Sequence, residues 1–132
     1  VSTYIFGGIF GGLIYILAFN FFPVFSQEVL TAKAYGASAS VLAIFIAIAT
    51  YKPNYRINLM FIGNISIIYI AIFLVILDYI SIPDGNSGGH IAHLGGAFFG
   101  YLYIVLLKKG YDISVNFYKQ ILKLLERKLA QT

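Results

Sequence analysis

The sequence predicts an all-α protein: a polytopic bundle of four membrane-spanning helices followed by an amphipathic tail helix. Three observations carry that expectation. Hydrophobic residues make up 60% of the 132-residue chain and charged residues only 11%, against about 25% charged in a soluble domain. Mean hydropathy is +0.85. The apolar residues gather in four stretches parted by segments of turn-forming composition. So little charge does not cover a water-facing surface of this size. An ordinary soluble enzyme, a disordered chain and a nucleic-acid binder are therefore disfavoured.

The first stretch covers residues 4–25 and the third 57–77; both meet the roughly 20 residues that a spanning helix needs. The second, 36–51, and the fourth, 90–107, reach that length once their small and polar outer ends are included. Such ends are tolerated only against other helices or water. Pro23 and Ser26-Gln27-Glu28 close the first stretch. Lys52-Pro53-Asn54-Tyr55-Arg56 parts the second from the third. Residues 81–89, with Pro83, Asp84, Gly85, Asn86 and Ser87, part the third from the fourth.

Charge sets the orientation. With four spans, Lys52, Arg56, Lys108 and Lys109 fall on one side, with Lys119, Lys123, Arg127 and Lys128 of the tail. Lys33 falls on the other, with Glu28, Asp78 and Asp84. The lysine-rich side is then cytoplasmic, and so is the C-terminus. This explains the net charge of +4 better than nucleic-acid binding does. Absence of cysteine excludes a disulfide framework and Cys-ligated metal. The chain opens at Val1 without a methionine and shows no signal peptide, so it reads as the C-terminal part of a longer protein. Residues 1–110 form a partial transmembrane domain and 111–132 a tail. In the tail Ile113, Phe117, Ile121, Leu124 or Leu125, and Leu129 recur at helical spacing. That pattern fits a helix lying on the anionic inner leaflet, or a solvated helix packed on a partner.

Small residues repeat every four positions: Gly7/Gly11 and Gly8/Gly12, then Ala39, Ala43 and Ala47, then Gly96/Gly100. Such faces let helices approach closely in lipid. In the second and fourth stretches they bring two polar ends together. Ser38 lies at the outer end of one inward-running helix, and His93 lies about one turn into the other. Ionisable groups inside spans are costly, so they are functional candidates by default. An Oγ beside an imidazole is a serine with its base. The first-turn N–H groups around Gly36, Ser38 and Ala39 face a developing oxyanion at the positive end of the helix dipole.

Other polar residues receive quieter roles. Asn20 and Asn64 lie at membrane depth. Asp78 and Asp84 read as solvated boundary residues, which leaves a Ser–His dyad without a third member. Ser40 is expected to bond back to its own helix. His90 and His93, spaced i, i+3, lie on one face and would suit two metal ligands, but no Cys or suitably spaced Glu supplies a third. No metal is expected, and His90 is assigned to the site mouth.

At this point the sequence resembles the rhomboid intramembrane serine proteases. The resemblance rests on Gly36-Ala37-Ser38 as a Gly-x-Ser motif and on His93-Leu94-Gly95-Gly96-Ala97-Phe98-Phe99-Gly100 as a His-x-x-Gly-x-x-x-Gly motif. It covers residues 1–107 as core helices three to six. It implies Ser38 as nucleophile, His93 as general base and acid, residues 81–89 as a loop capping a water-filled cavity, and the third span as the mobile helix beside which substrate enters. It implies transmembrane protein substrates cut near the outer membrane boundary, the lipid bilayer as surroundings, and no cofactor. A bacterial inner membrane is the most economical location. Two positions depart from the family pattern. Ala39 follows the serine where Gly is common. Leu42 stands where an aromatic ring often stacks on the histidine, a place that Tyr35 or another ring would take. The helix that supplies further oxyanion donors in the family would precede Val1, so the piece alone is not expected to be fully active. Two other classes fit the residues: a catalytically inactive rhomboid-like membrane-protein binder, and a small transporter or channel subunit with a histidine proton relay.

Overall fold

The computed structural model describes residues 1–27 and 36–131. Glu28, Lys33 and Tyr35, which entered the orientation and ring-stacking arguments, lie outside the described residues. The described chain forms five α-helices and one short antiparallel ribbon.

Helix α1 spans Ser2–Phe21 and ends where Pro23 holds Phe22 extended, at φ −103° and ψ 110°. The helix is thus shorter than the apolar stretch, whose end forms a single 3₁₀ turn over Pro23–Phe25. Helix α2 spans Gly36–Tyr51 and stops just before Lys52-Pro53.

The third stretch differs most from expectation. Strand β1 (Arg56–Leu59) pairs antiparallel with β2 (Gly63–Ser66), with Ile57 opposite Ile65 and Asn58 opposite Asn64. Helix α3 begins only at Ile67 and runs to Ile80. The fold remains all-α, with this one short ribbon beside its helices among the described residues, and Asn64 lies in the ribbon rather than in a span. The cause is local. Polar Asn58, Asn64 and Ser66 alternate with Ile57, Leu59 and Ile65, a period of two rather than 3.6. Ile62 donates its N–H to the Leu59 carbonyl at 3.2 Å, and Gly63 follows at φ +86°. A turn followed by a left-handed glycine is a common way to close a three-residue hairpin loop.

Helix α4 spans Ser87–Lys108. The connection before it is thus residues 81–86, shorter than the loop expected from composition. At its other end, Tyr111 N–H bonds the Leu106 carbonyl and Gly110 N–H the Leu107 carbonyl, both at 3.0 Å. Gly110 takes φ +85° there, as a Schellman cap requires. Helix α5, Ile113–Ala130, starts at once. The Asp112 carboxylate caps it, accepting from the N–H groups of Ser114 and Val115 at 2.9 and 3.3 Å. The Ser114 hydroxyl, donating at 2.6 Å, is the main reason why the Asp112 carboxyl is held below its ordinary pKa of 3.8; the two N–H groups add to the effect against some desolvation.

Helices α1, α2 and α4 pack most closely. A Cβ on Gly96 would collide with the Ala39 carbonyl, and one on Gly100 with that of Ala43. On α1 it is Gly7 and Gly11 that face inward, against Ala43 and Ala39, while Gly12 looks into open space. One apolar cluster joins Leu42, Ile46 and Ala49 to Ile67, Ala71 and Ala97. A second joins Ala47 to Phe99, Tyr103 and Ile104, with Phe6 and Phe10 against it. At the C-terminal ends of α2 and α4, Lys108 Nζ donates to the Thr50 carbonyl at 2.9 Å.

Large apolar side chains cover the outside as well: Ile5, Ile9, Leu13 and Ile16 on α1, and Ile72, Phe73 and Ile76 on α3, are exposed. A helix apolar on every face belongs inside a protein or a membrane, and the described residues leave these faces uncovered. By length and hydropathy α1, at 20 residues, and α4, at 22, suffice to cross a membrane. Over the described residues, α2 and α3, at 16 and 14 residues, extend about 24 and 21 Å, against the ≈ 30 Å hydrocarbon core. The third stretch, which its composition marks as a full span, is thus the shortest of the four helices.

Candidate active site

Ser38 is the third residue of α2, and His93 stands in the second turn of α4. The glycine contacts of α4 hold these helix starts side by side. His93 Nε2 lies 2.7 Å from Ser38 Oγ. Its other ring nitrogen, Nδ1, lies 2.9 Å from Asp78 Oδ1. The chain thus reads carboxylate, imidazole, hydroxyl, in the order and with the ring atoms that a serine activated through histidine requires. A proton on Nδ1, donated to Asp78, leaves the Nε2 lone pair free to accept from the serine hydroxyl.

Asp78 thus stands against His93 and is mostly enclosed, where the sequence reading had a solvated boundary residue. Asp78 lies in the last turn of α3, not beyond the end of a span. Its Oδ1 also lies 2.8 Å from His90 Nδ1, so one oxygen serves two imidazoles. His90 therefore does more than line the mouth. The rings of His90 and His93 meet edge to face, with centroids 6.1 Å apart. Among the described residues the ring against His93 is that of His90; Leu42, at the position where an aromatic ring is common, lies instead in the apolar core and in the wall of the site groove. The carboxylate is 13% exposed, and the His90 and His93 side chains are 23% and 27% exposed. Water therefore reaches the imidazoles, while the carboxylate is mostly enclosed.

A signal for Asp78 does exist in the sequence. It is the one carboxylate in α3, otherwise a run of Ile, Leu, Val, Phe, Ala and Tyr. Starting the helix at 57 hid it, because the acid then fell past the helix end.

A groove of about 340 Å³ opens at the triad between α2 and α3. Val41, Leu42, Phe45, Leu74 and Leu77 form its walls, with Ser38, Asp78 and His93 at one end. Among the other expected site residues, Gly36 is the first residue of α2. Ala39 is fully buried, as is Ala43, and both sit beneath the α4 glycines. Ser40 is buried beside them. Asn20 donates to the carbonyl of Ile16 one turn earlier, at 2.7 Å, which is a local role. Asp78, His90 and His93 bring three ligand atoms within 4.8 Å of one another. The third donor atom, for which the sequence offered no Cys or suitably spaced Glu, is thus that of an aspartate, Asp78.

A family model of the rhomboid domain matches residues 1–110. The chain belongs to the rhomboid family. No curated protein and no solved structure matches it. Family membership and the uncovered apolar helices make this rhomboid-domain chain a membrane protein, of a family of intramembrane proteases.

Proposed function

We propose that this rhomboid domain is an intramembrane serine endopeptidase that uses Ser38, His93 and Asp78. The observation that carries the reading is the continuous line from Asp78 Oδ1 to His93 Nδ1, at 2.9 Å, and from His93 Nε2 to Ser38 Oγ, at 2.7 Å. Ser38 attacks the scissile carbonyl while Nε2 accepts its proton. Asp78 keeps the Nδ1 proton in place and stabilises the imidazolium that forms. The first turn of α2 presents N–H groups and the positive end of its dipole to the oxyanion. Protonated His93 then gives its proton to the leaving amine, and water hydrolyses the acyl-enzyme.

The substrate is a membrane-spanning protein. Its backbone is hydrogen-bonded inside a helix, so it must unwind locally to reach Ser38. The apolar groove between α2 and α3 suits a side chain of that unwound segment. Four helices of the domain cross or enter the bilayer, the lysine-rich end faces the cytoplasm, and a bacterial inner membrane is the setting. Helix α5 lies along the inner leaflet. Its bundle contacts are at its start, where Phe117 meets Phe6 edge-on at 5.2 Å, and Leu124, Leu125 and Leu129 further along are exposed.

A fluorophosphonate probe tests the reading on the full-length protein. Labelling at Ser38 that is lost in Ser38→Ala and His93→Ala is the expected result. Labelling that survives Ser38→Ala rules out this nucleophile. The Asp78-bridged histidine pair also supports a proton relay. A relay needs no serine, so it would leave proton transport intact in Ser38→Ala and abolish it in His93→Ala.

A further inference from the structure

We infer that Asp78, His90 and His93 form a zinc site, and that a bound ion switches off the Ser38–His93 pair. The switch rests on the protease reading above; the site itself does not. Two imidazoles and a carboxylate are hard-to-borderline donors that Zn²⁺ takes readily, with water completing a tetrahedron. The two rings come from successive turns of one helix face, and the carboxylate comes from the neighbouring helix end. All three ligand atoms lie within 4.8 Å of one another.

Binding draws the three donor atoms, now within 4.8 Å of one another, to a common spacing. Ligands about 2.0–2.1 Å from zinc stand about 3.4 Å apart in a tetrahedron. Asp78 Oδ1 is now 2.8 and 2.9 Å from the two Nδ1 atoms, so it must withdraw about half an ångström from each ring. The imidazoles are partly exposed, so an ion reaches them from water.

Tautomer chemistry makes binding and catalysis exclusive. The hydrogen bond to Asp78 needs the His93 proton on Nδ1. Zinc needs the Nδ1 lone pair. A neutral imidazole carries one N–H, so zinc on Nδ1 moves that proton, through water, to Nε2. Nε2 then donates to Ser38 Oγ, 2.7 Å away, and no longer accepts from it. The same shift occurs at His90, where nothing catalytic depends on it. No net proton is released and no oxidation state changes. The Nε2–H bond to Ser38 also orients the metal-bound ring, as outer partners of ligating histidines do.

Two measurements on the full-length protein in detergent decide the matter. Co²⁺ titrated into Ser38→Ala protein should give the visible absorption of a four-coordinate site at one ion per chain. Zn²⁺ should displace it, and Asp78→Asn and His90→Gln should each abolish it while circular dichroism stays unchanged. Fluorophosphonate labelling of Ser38 in the unsubstituted protein should slow at least tenfold with Zn²⁺ and recover with EDTA. In His90→Gln, half-inhibition should need at least tenfold more zinc, relative to that variant's own zinc-free rate. A cobalt band that is absent from folded Ser38→Ala protein, or that persists in both ligand variants, overturns the site. A band with labelling unaffected by zinc overturns the switch. Absence of Ser38 labelling in zinc-free protein removes the protease reading and the switch with it, and leaves the band to decide the site.

Discussion

Replacing Asp78 by Asn removes one charge and almost no volume. The amide oxygen can take the place of Oδ1 and still accept from both Nδ1 atoms, now 2.8 and 2.9 Å away. What disappears is the attraction between the carboxylate and the imidazolium that His93 becomes as Ser38 attacks. Unit charges about 4 Å apart attract by about 4 kcal/mol at an effective dielectric of 20. The imidazole is 27% exposed and the carboxylate 13%, so solvent screening lowers this to about 2–4 kcal/mol. At 1.36 kcal/mol per decade, kcat should fall between roughly 30- and 1,000-fold. A larger loss, near 10⁴-fold, would mean that the amide turned its NH₂ towards His93 and forced the proton onto Nε2. The assay is cleavage of a fluorogenic transmembrane substrate by full-length protein in proteoliposomes, with Ser38→Ala as background. A folded Asp78→Asn protein within threefold of the unsubstituted rate refutes the argument and returns the site to a dyad.

Further outcomes follow from the packing and the caps. Gly100→Val should lower thermal stability by about 1–3 kcal/mol or more, because its Cβ meets the backbone carbonyl of Ala43. Gly12→Ala, which meets nothing within 4 Å, should leave the melting temperature in place; the reverse order would contradict the helix arrangement. The Asp112 carboxyl is held below 3.8 in the folded chain, so its charged form is the one folding favours. Its stabilisation of α5 is complete above that value and is lost as the pH falls through the lower, folded value. The protection of the Ser114 and Val115 amides, taken as their exchange rates relative to an unstructured chain at the same pH, should then fall in acid, and unchanged protection in fully protonated protein would remove the cap. The chain has no cysteine, so an environment-sensitive dye on Leu125→Cys reports from α5 when the chain is reconstituted. Its emission should shift to the blue with anionic vesicles, less at high salt; a water-like spectrum would argue against an interfacial helix.

Apolar content and small-residue spacing made the bundle legible, because membrane helices announce themselves by composition. The ribbon stayed hidden for the same reason. A hydropathy window counts Ile57, Leu59, Met60, Phe61 and Ile62 alike whether they repeat every two residues or every 3.6. Moving the helix start from 57 to 67 carried Asp78 from outside a span to its inner face. Ser38 and His93 stood out as candidates because a Gly-x-Ser motif, unspecific alone, occurs together with a His-x-x-Gly-x-x-x-Gly motif on helices that run the same way. Asp78 had no motif. Its role follows from where α3 ends relative to α4, a tertiary fact that spacing along the chain does not encode. The choice between Gly7/Gly11 and Gly8/Gly12 was equally open, since both pairs have the same spacing and only packing selects a face.

The glycines explain how two helices hold a hydrogen bond between their first turns. Gly96 meets Ala39 and Gly100 meets Ala43, four residues on in each helix, so α2 and α4 run parallel in one register. In that register His93 stands level with Gly36, about 3 Å along the axis from Ser38, within reach of an imidazole. A slip of one residue would move the hydroxyl about 1.5 Å along the axis and turn it about 100° away. The 2.7 Å contact would not survive that. Side chains longer than hydrogen at positions 96 and 100 would push the backbones apart, and the sliding interface left behind would have no unique register. The Ser38–His93 pair is therefore set by two contacts deeper in the bundle. Asp78 depends instead on α3, a separate helix that reaches the site only at its end. The positioning of His93 is thus divided between a tight helix pair and a short third helix, and the two can be perturbed independently.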